Sequence, residues 1–274
     1  MTYLYSAYAI ILIIVFGYII RVNLAFKRTF ADVASQGIKP ARTSNMDKPA
    51  LRYGLTALTT ILLFVGLYLA LVWSPDAEGE PPTYRILYFH VSVAIMAYLG
   101  FFITFLGGAL YLWKKDLRFD RWAKVGADLG IHFSMLMIVT GMIWGKQRWG
   151  AWWIWEPRLT TALILLIIYV GYLILRHVLD NPVTRARYAA VYGIIAFIDV
   201  PMVRYAIKFW GSVMHPVVMQ GKETPGLSQD MLTTLYFSEI AFIVTFFTMY
   251  LIRLRVDDLD AEIEAKRAKE EEGE

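Results

Sequence analysis

The sequence predicts an all-α fold: a polytopic membrane helix bundle with a six-span body and one N-terminal span, seven spans in total. Three observations predict it. Of the 274 residues 58% are hydrophobic and only 18% are charged, where soluble domains carry about 25% charged residues. Seven stretches, near 4–20, 55–73, 86–112, 127–144, 159–175, 189–209 and 231–254, are mostly apolar; crossing a bilayer takes about 20 such residues in a helix. Lys and Arg collect in alternate connections, about fifteen after spans one, three and five against about six in the others. Basic connections stay cytoplasmic.

The first span lacks a basic leader and a small-residue cleavage site, so it reads as retained. From 21 to 52 the chain turns basic, with Arg21, Lys27, Arg28, Lys39, Arg42, Lys48, Arg52 and a Gly-Ile-Lys-Pro turn signal. We read residues 1–28 as a single-span module, 29–50 as a basic cytoplasmic linker and 51–255 as the six-span body. Connections 113–125 and 176–188 are also basic, which places the N-terminus outside and the C-terminus in the cytoplasm. Residues 256–274 alternate acidic and basic blocks, with Leu259 and Ile263 at helical spacing. They read as a charged cytoplasmic tail, a solvated helix extension that frays. The net charge of +4 follows from the basic connections and calls for no nucleic-acid partner.

There is no cysteine, which excludes thiolate ligation, disulfides and cysteine-based catalysis. The strongest remaining ligands are four histidines, His90, His132, His177 and His215. His90 lies a few residues inside the outer end of span three, about 6–9 Å deep at 1.5 Å per residue. His215 falls in the outer connection between spans six and seven. His132, near the inner end of span four, reads as satisfied by a local hydrogen bond, and His177 as solvated.

The outer connection between spans four and five, WGKQRWGAWWIWEPRLT at 144–160, is the densest signal. It holds five of the nine tryptophans: Trp144, Trp149, Trp152, Trp153 and Trp155. Glycines such as Gly150 let backbone approach a flat object closely, and indoles offer rigid apolar faces with one N–H donor each. Arg158 can grip a carboxylate through its guanidinium fork. A planar ligand with acidic groups fits this set, although interfacial belts also gather tryptophan. Histidines on either side of such a platform could ligate a haem iron from both faces. Arg85 and Arg158, at outer span ends, suit propionates or simple snorkelling to the interface. Pro201 is expected to kink span six, with Arg204 balancing Asp199 inside the bundle. Met214 and Met219 flank His215, where packing is the ordinary role of a thioether.

This tryptophan-rich segment resembles the signature of the haem-handling membrane proteins, and most of all protein C of the system I cytochrome c maturation pathway. YRILYFHV at 84–91 and the spacing of Pro201, Trp210 and His215 extend the similarity over roughly 50–255. The resemblance implies haem b held at the outer face, with His90 and His215 as axial ligands of the iron. Trp149, Trp152, Trp153 and Trp155 would form the platform, with Arg85 and Arg158 on the propionates. Glu156, Trp144 and Gly150 would lie at the docking surface for a partner. The implied partners are a membrane-anchored haem chaperone, which receives the haem, and the subunits of an ABC transporter. Two departures stand out. Glu156-Pro157 replaces the usual aspartate and small residue, and proline follows His215 where the family has glutamine.

Residues 3–28, with Ser6-Ala7-Tyr8 leading into one apolar span, resemble the small single-span protein D of the same pathway. Met46 lies near where a separate protein C would begin. An ordinary anchoring helix would read the same way. Together these features describe a haem-binding and transfer protein more than an enzyme. Two alternatives are a cytochrome c synthase-like enzyme that attaches haem to apocytochrome, and a structural membrane protein without haem. The synthase relatives carry more spans and more histidines.

Overall fold

A computed structural model describes residues 1–40, 43–77, 79–211 and 227–272. Among them the chain forms eight α-helices and no strand. Seven helical segments are long and apolar enough to cross a membrane, which makes this the expected multi-pass bundle.

Helix α1 (Thr2–Ser35) outlasts the predicted span and crosses the 28/29 boundary. Its buried positions, Leu4, Ala7, Tyr8, Ile11, Val15, Tyr18, Ile19, Val22 and Phe26 among them, recur every three or four residues. That spacing makes one continuous apolar stripe along a helix. Polar contacts accompany it: the Tyr8 hydroxyl donates to the Arg85 carbonyl at 2.7 Å, and the Tyr18 hydroxyl to Asp128 at 2.7 Å. The linker contains a short 3-10 turn at Asn45–Asp47, capped by Ser44 and tied to Arg255 through Asp47.

Helix α2 (Pro49–Tyr68) widens into one π-helical turn, Leu69–Trp73. Helices α3 (Leu87–Lys114) and α4 (Leu117–Trp149) form an antiparallel hairpin across a two-residue turn. Lys115 adopts φ +56°, and Asp116 caps α4 by accepting from the Arg118 N–H at 2.9 Å. Side-chain pairing with Arg118 holds the Asp116 carboxyl down at about 2. The hairpin is fastened by small residues. A Cβ on Gly100 would lie 2.7 Å from the Gly126 carbonyl and from the Gly130 backbone. Such contact is the means by which membrane helices gain close packing without a hydrophobic driving force.

Helix α5 (Pro157–Val178) starts on a proline, whose missing N–H costs nothing there. The sixth span is broken, not merely kinked, into α6 (Pro182–Ala196) and α7 (Asp199–Trp210). Pro201 can neither donate to the Phe197 carbonyl nor clear it sterically, and the chain interrupts its helix at residues 197–198. Helix α8 (Gln229–Glu272) is continuous. Its end, expected to fray, stays helical because Leu259 and Ile263 are buried and Asp260 accepts from Thr29 at 3.2 Å.

Candidate functional site

The site is built at the end of the hairpin away from the Lys115–Asp116 turn. Helix α4 runs one turn beyond its predicted limit, so Trp144 and Trp149 belong to the helix. Gly145 makes this possible: a Cβ there would lie 3.0 Å from the Trp149 ring. Its absence lets Trp149 fold back edge-on to Trp144, ring centres 5.2 Å apart. Gly150, at φ +74°, ends the helix in the left-handed conformation that glycine adopts without strain. An extended stretch then carries Trp152, Trp153 and Trp155 to Pro157.

Behind these rings lies a cavity of about 370 Å³, within the range of small-molecule sites. Helix α3 contributes His90 and Tyr98, α4 contributes Gly141, Trp144 and Trp149, and Trp153 closes one side. Arg158 from α5 and Arg204 from α7 bring two guanidinium groups to its wall. The walls are otherwise largely Leu, Ile, Val, Ala and Met. An apolar pocket with a few convergent polar groups is the usual form of a ligand site. The Trp153 indole N–H is buried with no hydrogen-bond partner among the described residues, a donor suited to an acidic ligand.

His90 is anchored inside this cavity. Its Nδ1 lies 2.8 Å from the Thr140 hydroxyl, and its Cε1 faces the space left by Gly141. Glu156 is 7% exposed at the N-cap of α5, where a carboxylate is favoured by the helix dipole.

Thus the structure brings together His90, Trp144, Trp149, Trp153 and Arg158. The remaining tryptophans are elsewhere. Trp155 is 78% exposed and meets Trp153 only edge-on, while Trp152 is 45% exposed and contacts Tyr3 of α1. Arg85 is outside the lining; its Nε pairs with Asp76 at 3.0 Å and its Nη1 donates to the Ala70 carbonyl at 2.9 Å. Gly150 shapes the loop without lining the cavity. His215, Met214 and Met219 lie outside the described residues. His132 bonds locally, its Nδ1 2.7 Å from the Asp128 carbonyl.

Three contributors went unread in the sequence. Arg204 had been assigned to Asp199, yet the break at 197–198 turns α7 so that Arg204 reaches the cavity wall. Its position six residues after the break, and three after Pro201, was the available signal. Thr140 and Gly141 looked like ordinary small residues of a packed span, and only the fold pairs them with His90 fifty residues earlier.

Comparison with known proteins identifies the family. The family model described as heme exporter protein C matches residues 8–269. The heme exporter protein C of Bradyrhizobium diazoefficiens is 31% identical over 202 residues, 73% of this chain and 76% of the relative. That of Rhodobacter capsulatus is 28% identical over 215 residues, covering 78% and 87% of the two chains. The Escherichia coli K12 protein is 30% identical over 205 residues, covering 73% and 81%. With a family model spanning nearly its whole length and such relatives beside it, this chain belongs to the heme exporter protein C family.

Proposed function

We propose that this protein holds haem b as cargo at the outer face of a bacterial inner membrane and passes it to a membrane-anchored haem chaperone in cytochrome c maturation. The observation that carries the reading is the convergence of His90, three tryptophans and two arginines on one apolar cavity. The relatives' names, heme exporter protein C, support haem as the cargo. The asymmetric spread of Lys and Arg supports the outer face.

Each residue then has a physical task. Apolar contact with Trp144, Trp149 and Trp153 supplies most of the affinity, at about 25 cal/mol per Å² of apolar surface buried. His90 and His215 are the axial ligands. Arg158, joined by Arg204, pairs with the propionates. Trp152, Trp155 and Gly150 form the surface against which the chaperone docks, an assignment favoured by the exposure of both indoles, whereas Glu156 is buried behind it. A relay must bind firmly enough to orient its cargo and loosely enough to release it. A cavity open past the tryptophan loop suits that need.

The transporter subunits of the same pathway are the second group of partners. Helix α1 acts as a fused counterpart of protein D, already docked on the bundle through Tyr8 and Tyr18.

The test is a visible spectrum, oxidised and reduced, of the detergent-purified protein beside His90→Ala and His215→Ala. The expected result is a six-coordinate haem b spectrum in the wild type, lost or altered in both variants, with folding intact and most haem transfer gone. Wild-type levels of loaded chaperone in both variants would sink the mechanism. No haem in the wild type, even after reconstitution, would leave a structural role.

A further inference from the structure

The hydroxyl that holds His90 has a settled direction. Thr140 Oγ1 lies 2.8 Å from the Leu136 carbonyl and 3.2 Å from the Met137 carbonyl, as well as 2.8 Å from His90 Nδ1. A threonine hydroxyl has one proton to give and two lone pairs with which to accept. Two carbonyl oxygens at such distances require that proton, because otherwise oxygen lone pairs would face one another in a buried site. Back-bonding to the preceding turn is in any case the usual habit of a mid-helix threonine. What the hydroxyl has left to offer His90 is acceptance, so the imidazole donates from Nδ1. In a neutral ring the lone pair is then on Nε2. Thr140 has 0% exposure, so bulk water does not compete for this bond. The next residue clears the ring's edge: a Cβ on Gly141 would stand 3.3 Å from His90 Cε1.

We propose that Thr140 is a positioning residue for haem. Its hydroxyl keeps the neutral His90 imidazole in the Nδ1–H tautomer and so presents Nε2 to the iron. This rests on the reading above that His90 ligates haem. Histidines that bind metals generally tie the opposite ring N–H to an acceptor, which fixes the ring and raises its basicity. Here the acceptor is a neutral hydroxyl. Hydrogen bonds to a charged partner are roughly twice as strong as neutral ones, so a hydroxyl orients the ring with less added pull on the iron than a carboxylate would. Cargo that must leave again is served by that choice.

Haemin titrations of the full-length protein in detergent, read by absorption and by the ferric electron paramagnetic resonance spectrum, test this. Thr140→Val should lower haem affinity about 10- to 100-fold and change the ferric signature, the usual cost of losing such a partner. Thr140→Ser, which keeps the hydroxyl, should restore both. In a His90→Ala background Thr140→Val should add nothing. Wild-type behaviour of Thr140→Val, equal loss in the serine and valine variants, or full additivity with His90→Ala would each overturn the proposal. Nitrogen-15 NMR of the haem-free protein needs no Thr140 variant. It should show the His90 ring, identified by its loss in His90→Ala, as the Nδ1–H tautomer, and an Nε2–H tautomer would overturn the proposal equally. Failure of the ligand reading itself is separate: it appears as wild-type haem binding in His90→Ala alone.

Discussion

From the Lys115–Asp116 turn to the middle of the hairpin, α3 and α4 touch backbone to backbone, whereas at the tryptophan end the same helices are separated by side chains and a cavity. Gly100, Gly107, Gly126 and Gly130 define the first region, with missing Cβ atoms that would all stand within 2.5–2.8 Å of a facing atom. His90, Thr140 and Gly141 define the second, where the corresponding Gly141 contact is looser, at 3.3 Å. One hairpin therefore carries both a clamp and a cavity. Close backbone contact at the clamp fixes the distance between helices, and the cavity opens beyond it.

The clamp is reinforced by charge. Arg176 of α5 grips Asp120 of α4 through two bonds, at 2.5 and 2.7 Å, with both side chains 7% exposed. Removing one member of a buried pair strands the other, at a cost of about 3–5 kcal/mol. Asp120→Ala should accordingly give the largest loss, seen as a lowered thermal unfolding transition in detergent. An Asp120→Ala variant as stable as the wild type would mean that this end is not where the bundle is fastened.

Gly100→Ala should follow. Its new Cβ would meet backbone on α4 at 2.7 Å, from both Gly126 and Gly130, and backbone cannot swing aside as a side chain can. Overpacking of this kind costs about 1–3 kcal/mol, more than the gain of up to about 1 kcal/mol from replacing glycine by alanine in a helix. A lowered transition measured as before is the expected outcome. An unchanged one would show that the helices can part at the seam.

What could be read in advance divides along the same line. Spans are long averages of apolar residues, and all seven were legible, as was the disruption at Pro201, whose effect depends only on its own ring and missing N–H. The tryptophan-rich segment was legible because its composition is unusual. Its division was not: Gly145 extends α4 and turns Trp149 inward, and the extended stretch after Gly150 leaves Trp155 exposed while Trp153 lines the cavity. Arg85 shows the limit from the other side. Nothing in its own surroundings in the chain announced that Asp76 and the Ala70 carbonyl would engage it. Pairings such as His90 with Thr140 arise only when two helices meet, and single positions do not carry them.

Gly141→Ala probes the open region and should have the smallest effect on stability. Among the described residues the added Cβ would meet only the Cε1 of His90, at 3.3 Å, and a ring edge can yield by a few tenths of an ångström. Helix propensity favours alanine by up to about 1 kcal/mol, so the unfolding transition should stay where it is or rise. The cost should appear in binding instead, because the ring can yield only by straining its bond to Thr140. Haem retention on gel filtration should fall while the protein remains monodisperse. A destabilisation matching that of Gly100→Ala would show that the two ends are packed alike, and that the looser contact at Gly141 is not room kept for His90.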